Sequence, residues 1–226
     1  MLVLAIDTAL EACSAAIFDS RQGAIISSET DIMVRGHAEA AMSLIERVMN
    51  EAELDFFALD RIAVTVGPGS FTGLRVGISA ARGIALAAKK EIVGITTLAA
   101  LAAPYIAAEP TVPVAAAIDG RHRHVYFELN GAQGHLLLSP RIIPVEDAVH
   151  AAMGAAARLV GSGAGMMAEI WPDPLHPPQI DERRAPDIDW VARLGAVAHP
   201  PEAPPKPLYL RPPDAHPQTA SILPRR

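Results

Sequence analysis

Val64-Thr65-Val66-Gly67-Pro68-Gly69-Ser70-Phe71-Thr72-Gly73-Leu74-Arg75 is the stretch whose reading decides the fold. A β-branched run ends in Gly-Pro-Gly-Ser, and a Gly- and Ala-rich segment follows to about Lys90. The pattern predicts strand, tight turn, helix. A helix starting at a strand end aims unpaired backbone N–H groups at whatever sits there. The turn lacks the Gly-Lys-Ser/Thr of a phosphate loop, and Thr72 stands where Gly-X-Gly-X-X-Gly needs its last glycine. Gly67, Pro68, Gly69 and Ser70 thus read as a weak anion nest or, better, as a rigid corner between strand and helix.

Outward from the turn, the helix carries Gly73, Gly77, Ala81 and Ala85 at every fourth position. One flank therefore has almost no side chain. Each glycine costs about 1 kcal/mol against alanine in a helix. The reading expects a second helix backbone to compensate, so that a larger residue at Gly77 would block a partner. An earlier helix is predicted from near His37 to about Glu53, with Glu39, Ser43, Glu46, Asn50 and Glu53 on one polar stripe. Its apolar arc, including Ala38, Ala41, Met42, Ile45 and Met49, is wider than one core contact needs. Two readings are open: a helix enclosed in its own domain, or one whose methionines face a partner.

The chain also repeats itself. Ala5-Ile6-Asp7 returns as Ala117-Ile118-Asp119, and Val66-Gly67-Pro68-Gly69-Ser70 is echoed by Val160-Gly161-Ser162-Gly163-Ala164. Each Asp strand is followed by a hairpin partner, Cys13 to Phe18 and His124 to Leu129. Two degenerate copies of one unit are expected, the second with elements lost. The predicted parts are a first lobe over 1–109, a smaller lobe over 110–211 and a Pro-rich flexible tail over 212–226. Fourteen of the 20 prolines lie between Pro172 and Pro224.

The chemistry is sparse. The formal charge is −6, and the one basic cluster is Arg121-His122-Arg123-His124. Such a chain does not grip nucleic acid unaided. A single cysteine, Cys13, excludes an internal disulfide and a Cys-rich metal site. No leader and no apolar run of about 18 residues is evident, so a cytoplasmic protein without membrane contact is expected. Asp7 with Thr8, and Asp119 in the second copy, either hold a metal–phosphate group near a nucleotide or cap the turns that follow them. No metalloprotease or nucleophile-elbow motif occurs.

Ile6-Asp7-Thr8, the central stretch Val66 to Arg75, and Pro207-Leu208-Tyr209-Leu210-Arg211 together resemble the TsaB (YeaZ) family. The family belongs to the bacterial machinery making threonylcarbamoyladenosine in tRNA. Asp119-Gly120-Arg121 resembles its Asp-Ala-Arg-Arg segment, with Gly120 and His122 as departures. The resemblance implies an α/β actin/sugar-kinase/Hsp70-like fold: two related lobes, each a mixed sheet flanked by helices. It implies a non-catalytic role without a cofactor, ATP and a metal being held by partner subunits. The catalytic relative, TsaD, carries a His-X-X-X-His metal pair where this chain has Thr97 and Leu101. Neither residue replaces imidazole. The implied partners are a TsaD-like subunit, a TsaE-like ATPase and, in isolation, a second copy, with tRNA met only through the complex. The docking surface implied is the two helices bearing Ala38, Ala41, Met42, Ile45, Met49, Gly73, Gly77, Ala81 and Ala85. The competing hypothesis is an independent ATP-dependent phosphotransferase using Asp7 and Asp119.

Overall fold

The structure, a computed structural model, describes residues 1–211. The tail read over 212–226 lies outside the described residues.

The first unit begins with β1 (Leu2–Asp7), β2 (Ala12–Asp19) and β3 (Ala24–Ile32), an antiparallel meander. Helix α1 (His37–Glu51) leads to β4 (Arg61–Gly67), α2 (Phe71–Ala88), β5 (Glu91–Thr96) and α3 (Thr97–Ala108). Strands β4 and β5 add in parallel, giving the order β3-β2-β1-β4-β5. Every residue of β2 and β4 is buried, as a strand covered on both faces requires.

The second unit repeats the plan. It runs β6 (Val114–Asp119), β7 (His124–Asn130), β8 (Leu136–Pro144), α4 (Val145–Gly154), β9 (Arg158–Val160), α5 (Ala164–Glu169), β10 (Ile180–Asp181) and α6 (Ile188–Val197). Its sheet order is β8-β7-β6-β9-β10, with the same parallel and antiparallel pairings, position for position. Asp7 and Asp119 are the last residues of equivalent strands. The second copy has therefore shortened its elements rather than lost them: β9 has 3 residues, β10 has 2 and α5 has 6.

The last helix of each unit packs on the other unit's sheet. Ile188, Val191 and Ala192 of α6 share a core with Val3, Ala5 and Ala63 of the first sheet. Leu98, Leu101 and Ala102 of α3 share one with Val114, Ala116 and Ile118 of the second. Gly195 admits α6 onto β4, since a Cβ there would lie 2.3 Å from Ala63 Cβ. Arg61 Nη1 then donates to the carbonyls of Gly195, Ala196 and Ala198 at 3.1, 3.3 and 2.8 Å, satisfying the end of α6. By packing, α6 lies on the first sheet and α3 on the second, so the two units exchange their last helices.

Candidate functional site

Corner and Asp7

Gly67 has φ 107°, which glycine alone adopts without cost. Beyond it the turn closes on β1: Ser70 N donates to Ala9 O at 2.7 Å, and a Cβ on Gly69 would lie 2.3 Å from that oxygen. Ser70 Oγ caps α2 by accepting from Gly73 N at 3.2 Å, and Leu74 N donates to Ser70 O at 2.9 Å. The amides of Ser70, Gly73 and Leu74 are thus spent inside the protein, as a rigid corner between strand and helix uses them. The corresponding turn of the second unit also ties back to the first strand of its sheet, but at another position: Gly163 N donates to Ala117 O at 3.0 Å, two residues before Asp119 rather than two after it.

Asp7 is fully enclosed. Its Oδ1 accepts from the Thr65 hydroxyl at 2.5 Å and from Ala9 N at 3.0 Å. Its Oδ2 is buried without a partner, as is Oγ of Ser14, which faces it across the β1–β2 ladder. Burial pushes the carboxyl above its ordinary range, against the opposing pull of Thr65, Ala9 and the nearby His37. A carboxyl that disfavours its own charge and faces no solvent does not fit the role of holding a metal–phosphate. Asp119 is exposed, its Oδ1 accepting from Arg121 N at 2.7 Å as a turn cap. The two aspartates thus stand in unlike surroundings, one enclosed and one in solvent. Among the described residues no group of three His, Cys, Asp or Glu side chains is placed to hold a metal ion. Thr97 and Leu101 lie buried on α3.

Helix faces

The bare flank of α2 faces inward. A Cβ on Gly73 would lie 2.1 Å from Thr8 O, and one on Gly77 2.4 Å from Thr8 Oγ1. Ala81 and Ala85 continue that flank into the core. What comes close is the end of β1, not another helix, so a larger residue at Gly77 would break the monomer first. The wide arc of α1 resolves the same way. Ala41, Ile45 and Met49 are buried in the chain's own core, and only Ala38 and Met42 of the residues read there remain exposed. The buried arc of the first helix is wide because it meets both the sheet and α2, while Ala38 and Met42 stay on its solvent side.

Along one flank of α2 stand Val76, Ala80, Gly83 and Ala87, spaced four, three and four residues apart, Val76 and Ala80 half-buried against the core and Gly83 and Ala87 exposed. That is the spacing of a helix-packing seam. Among the described residues Gly83 has nothing within 4 Å of an added Cβ, so no contact there accounts for a glycine in mid-helix. Leu86 beside it is 82% exposed, and Met42 on α1 is 42% exposed. Sequence reading missed this seam because the inner glycine stripe has the same regularity. The signal was present in the 76, 80, 83, 87 spacing.

Comparison with known proteins

A family model described as TsaD, tRNA N6-adenosine threonylcarbamoyltransferase, matches residues 24–171. The chain is 31% identical over 152 residues to the Escherichia coli tRNA threonylcarbamoyladenosine biosynthesis protein TsaB, covering 63% of this chain and 64% of that one. It spans less than two thirds of the length of the curated TsaB relatives it matches. YeaZ from Pseudomonas aeruginosa superimposes with a TM-score of 0.72 at 30% identity, over 86% of this chain and 90% of that one. A second Pseudomonas aeruginosa structure, described as an uncharacterized protein similar to peptidase YeaZ, gives a TM-score of 0.77 at 29% identity, over 93% and 99% of the two chains.

Proposed function

The chain belongs to the TsaB (YeaZ) family, with its actin-like two-lobed fold, and from that premise we propose that it is a non-catalytic subunit that docks on a TsaD-like enzyme. The complex would transfer threonylcarbamoyl to the adenosine beside the tRNA anticodon. The observation that carries the reading is the outer face of α2. Gly83 gives up about 1 kcal/mol of helix stability against alanine with no return among the described residues. Leu86 stands in water beside it. Both features suit a second helix packed over the exposed Gly83, Leu86 and Ala87, with the half-buried Val76 and Ala80 at the edge of the contact. A TsaD-like helix is the occupant proposed in the complex, and a second copy of this chain in isolation.

In this reading the chain supplies a preformed surface and no reacting group. ATP and metal would be held by the TsaD-like subunit and a TsaE-like ATPase, in the cytoplasm. Among the described residues no helix is long and apolar enough to cross a membrane. The competing phosphotransferase reading needs Asp7 accessible and charged, and its enclosure weighs against that. The test is co-purification with the TsaD-like subunit and reconstituted tRNA modification. Gly83→Leu and Leu86→Glu should abolish both while the chain keeps its melting transition. Complex formation unaffected by both variants would sink the proposal.

A further inference from the structure

The described chain ends in an extended strap that returns to the corner. Leu208 N donates to Val66 O at 2.7 Å, and this lays Tyr209 on the start of α2. The Tyr209 and Phe71 rings stack with centroids 5.4 Å apart at 27°. The Arg75 guanidinium lies 3.8 Å from the centre of the Phe71 ring, and its Nε donates to Tyr209 Oη at 3.2 Å. Yet Phe71 is 51% exposed and Tyr209 47%. Two aromatic rings are thus fixed in position while half of each remains in water.

Two residues further on, Arg211 Nη1 donates to Gly120 O at 3.0 Å on the other lobe. The strap therefore leads from the ring pair, across about 7 Å of extended backbone and the Arg211 side chain, to the loop that follows Gly120, a span that several nucleotides of an extended strand would bridge. In that loop Arg121, His122 and Arg123 have φ of 63°, 52° and 57°, left-handed for three side-chain-bearing residues in a row. Each costs on the order of 1 kcal/mol or more. The result is that all three side chains stand exposed around one turn. Glu146 pairs with Arg123, and Asp119 caps the loop through its backbone. Arg121 and Arg75 have no carboxylate partner among the described residues. In a chain of formal charge −6 this is a cationic surface beside open rings.

We propose that Phe71, Tyr209, Arg75 and Arg121 form a contact for a single-stranded segment of RNA, a base stacking on the ring pair and phosphates meeting the arginines. Half-exposed rings and guanidinium groups without a carboxylate partner among the described residues are the two parts of such a site. The choice of tRNA as the strand rests on the reading that this chain works in tRNA modification, and it replaces the expectation that tRNA is met only through other subunits. The parts come from positions 71, 75, 121 and 209, which is why no interleaved basic and aromatic motif stands in the sequence.

The experiment titrates labelled tRNA with the full chain, alone and with the TsaD-like subunit, and maps photo-crosslinks. Tyr209→Ala should weaken binding by about fivefold or more, while Tyr209→Phe should retain it. Arg121→Ala should lower the slope of log K against log salt by about 1. Crosslinks should fall on the peptides containing Phe71 or Tyr209. Wild-type tRNA affinity and crosslinks unaltered by both Tyr209→Ala and Arg121→Ala would overturn the proposal, as would no tRNA binding in either setting. Loss of the TsaD-like subunit with unchanged tRNA affinity would also overturn it, by making the patch a protein contact. The docking reading is scored separately, by Gly83→Leu in the pull-down.

Discussion

The Thr8 hydroxyl donates to the Gly73 carbonyl at 2.7 Å, tying the end of β1 to the first turn of α2. The contact forms only because neither Gly73 nor Gly77 carries a Cβ. Gly73→Ala should therefore destabilise the chain by roughly 2–3 kcal/mol, because the new methyl meets fixed backbone. Gly77→Ala should also destabilise, through loss of the Thr8 bond. Urea unfolding checks both. A change under 0.5 kcal/mol at Gly73, roughly the noise of surface substitutions, would refute the close approach.

Gly83 should behave in the opposite way. Its Cβ position is open, so Gly83→Ala should raise the stability of the isolated chain by about 0.5–1 kcal/mol. The same methyl should weaken docking on the TsaD-like subunit. A variant that is both more stable and a poorer binder is the expected signature, read by melting and by titration calorimetry.

Asp7 gives a pH prediction. Its folded pKa is raised, chiefly by burial, so the folded chain holds a proton that the unfolded chain releases above the ordinary carboxylate value. The stability tied to that proton is complete below this value and is lost as pH rises toward the folded pKa. Asp7→Asn keeps an acceptor for Thr65 and Ala9 and removes the titration. The melting-temperature gap, variant minus wild type, should widen from pH 4 toward neutrality. A gap that is constant across that range would contradict the assignment.

Cys13 is 1% exposed, and burial, followed by the nearby Asp7 charge, pushes its thiol up to about 11. A thiol that is both enclosed and protonated should not react with a disulfide reagent at pH 8. Labelling should appear only on unfolding, with a rate following urea concentration. Fast stoichiometric labelling of the native chain would show that the strand opens locally.

The strand–turn–helix at Val64 to Arg75 and the repeat of Asp7 in Asp119 were legible because backbone chemistry and period are local properties. The partner of the α2 glycines was not. Thr8 lies 65 residues from Gly73, and a bare helix flank does not say whether strand or helix fills it. The arc of α1 was misjudged for a similar reason: Ile45 and Met49 answer two neighbours at once, the sheet and α2. Phe71, Arg75 and Tyr209 were unremarkable apart and meet only through the strap.

The exchange of α3 and α6 between the two sheets has a consequence for the chain's history. One unit alone, five strands and three helices, would send its last helix away and leave one face of its own sheet uncovered. Val3, Ala5 and Ala63 would stand in water, since the helix that covers them comes from the other repeat. A solitary ancestor of one repeat would thus have needed a twin, each lending the other its final helix. Within one chain the loan is permanent: each sheet keeps its cover whatever the other does, and the second copy folds with β9, β10 and α5 as short as they are.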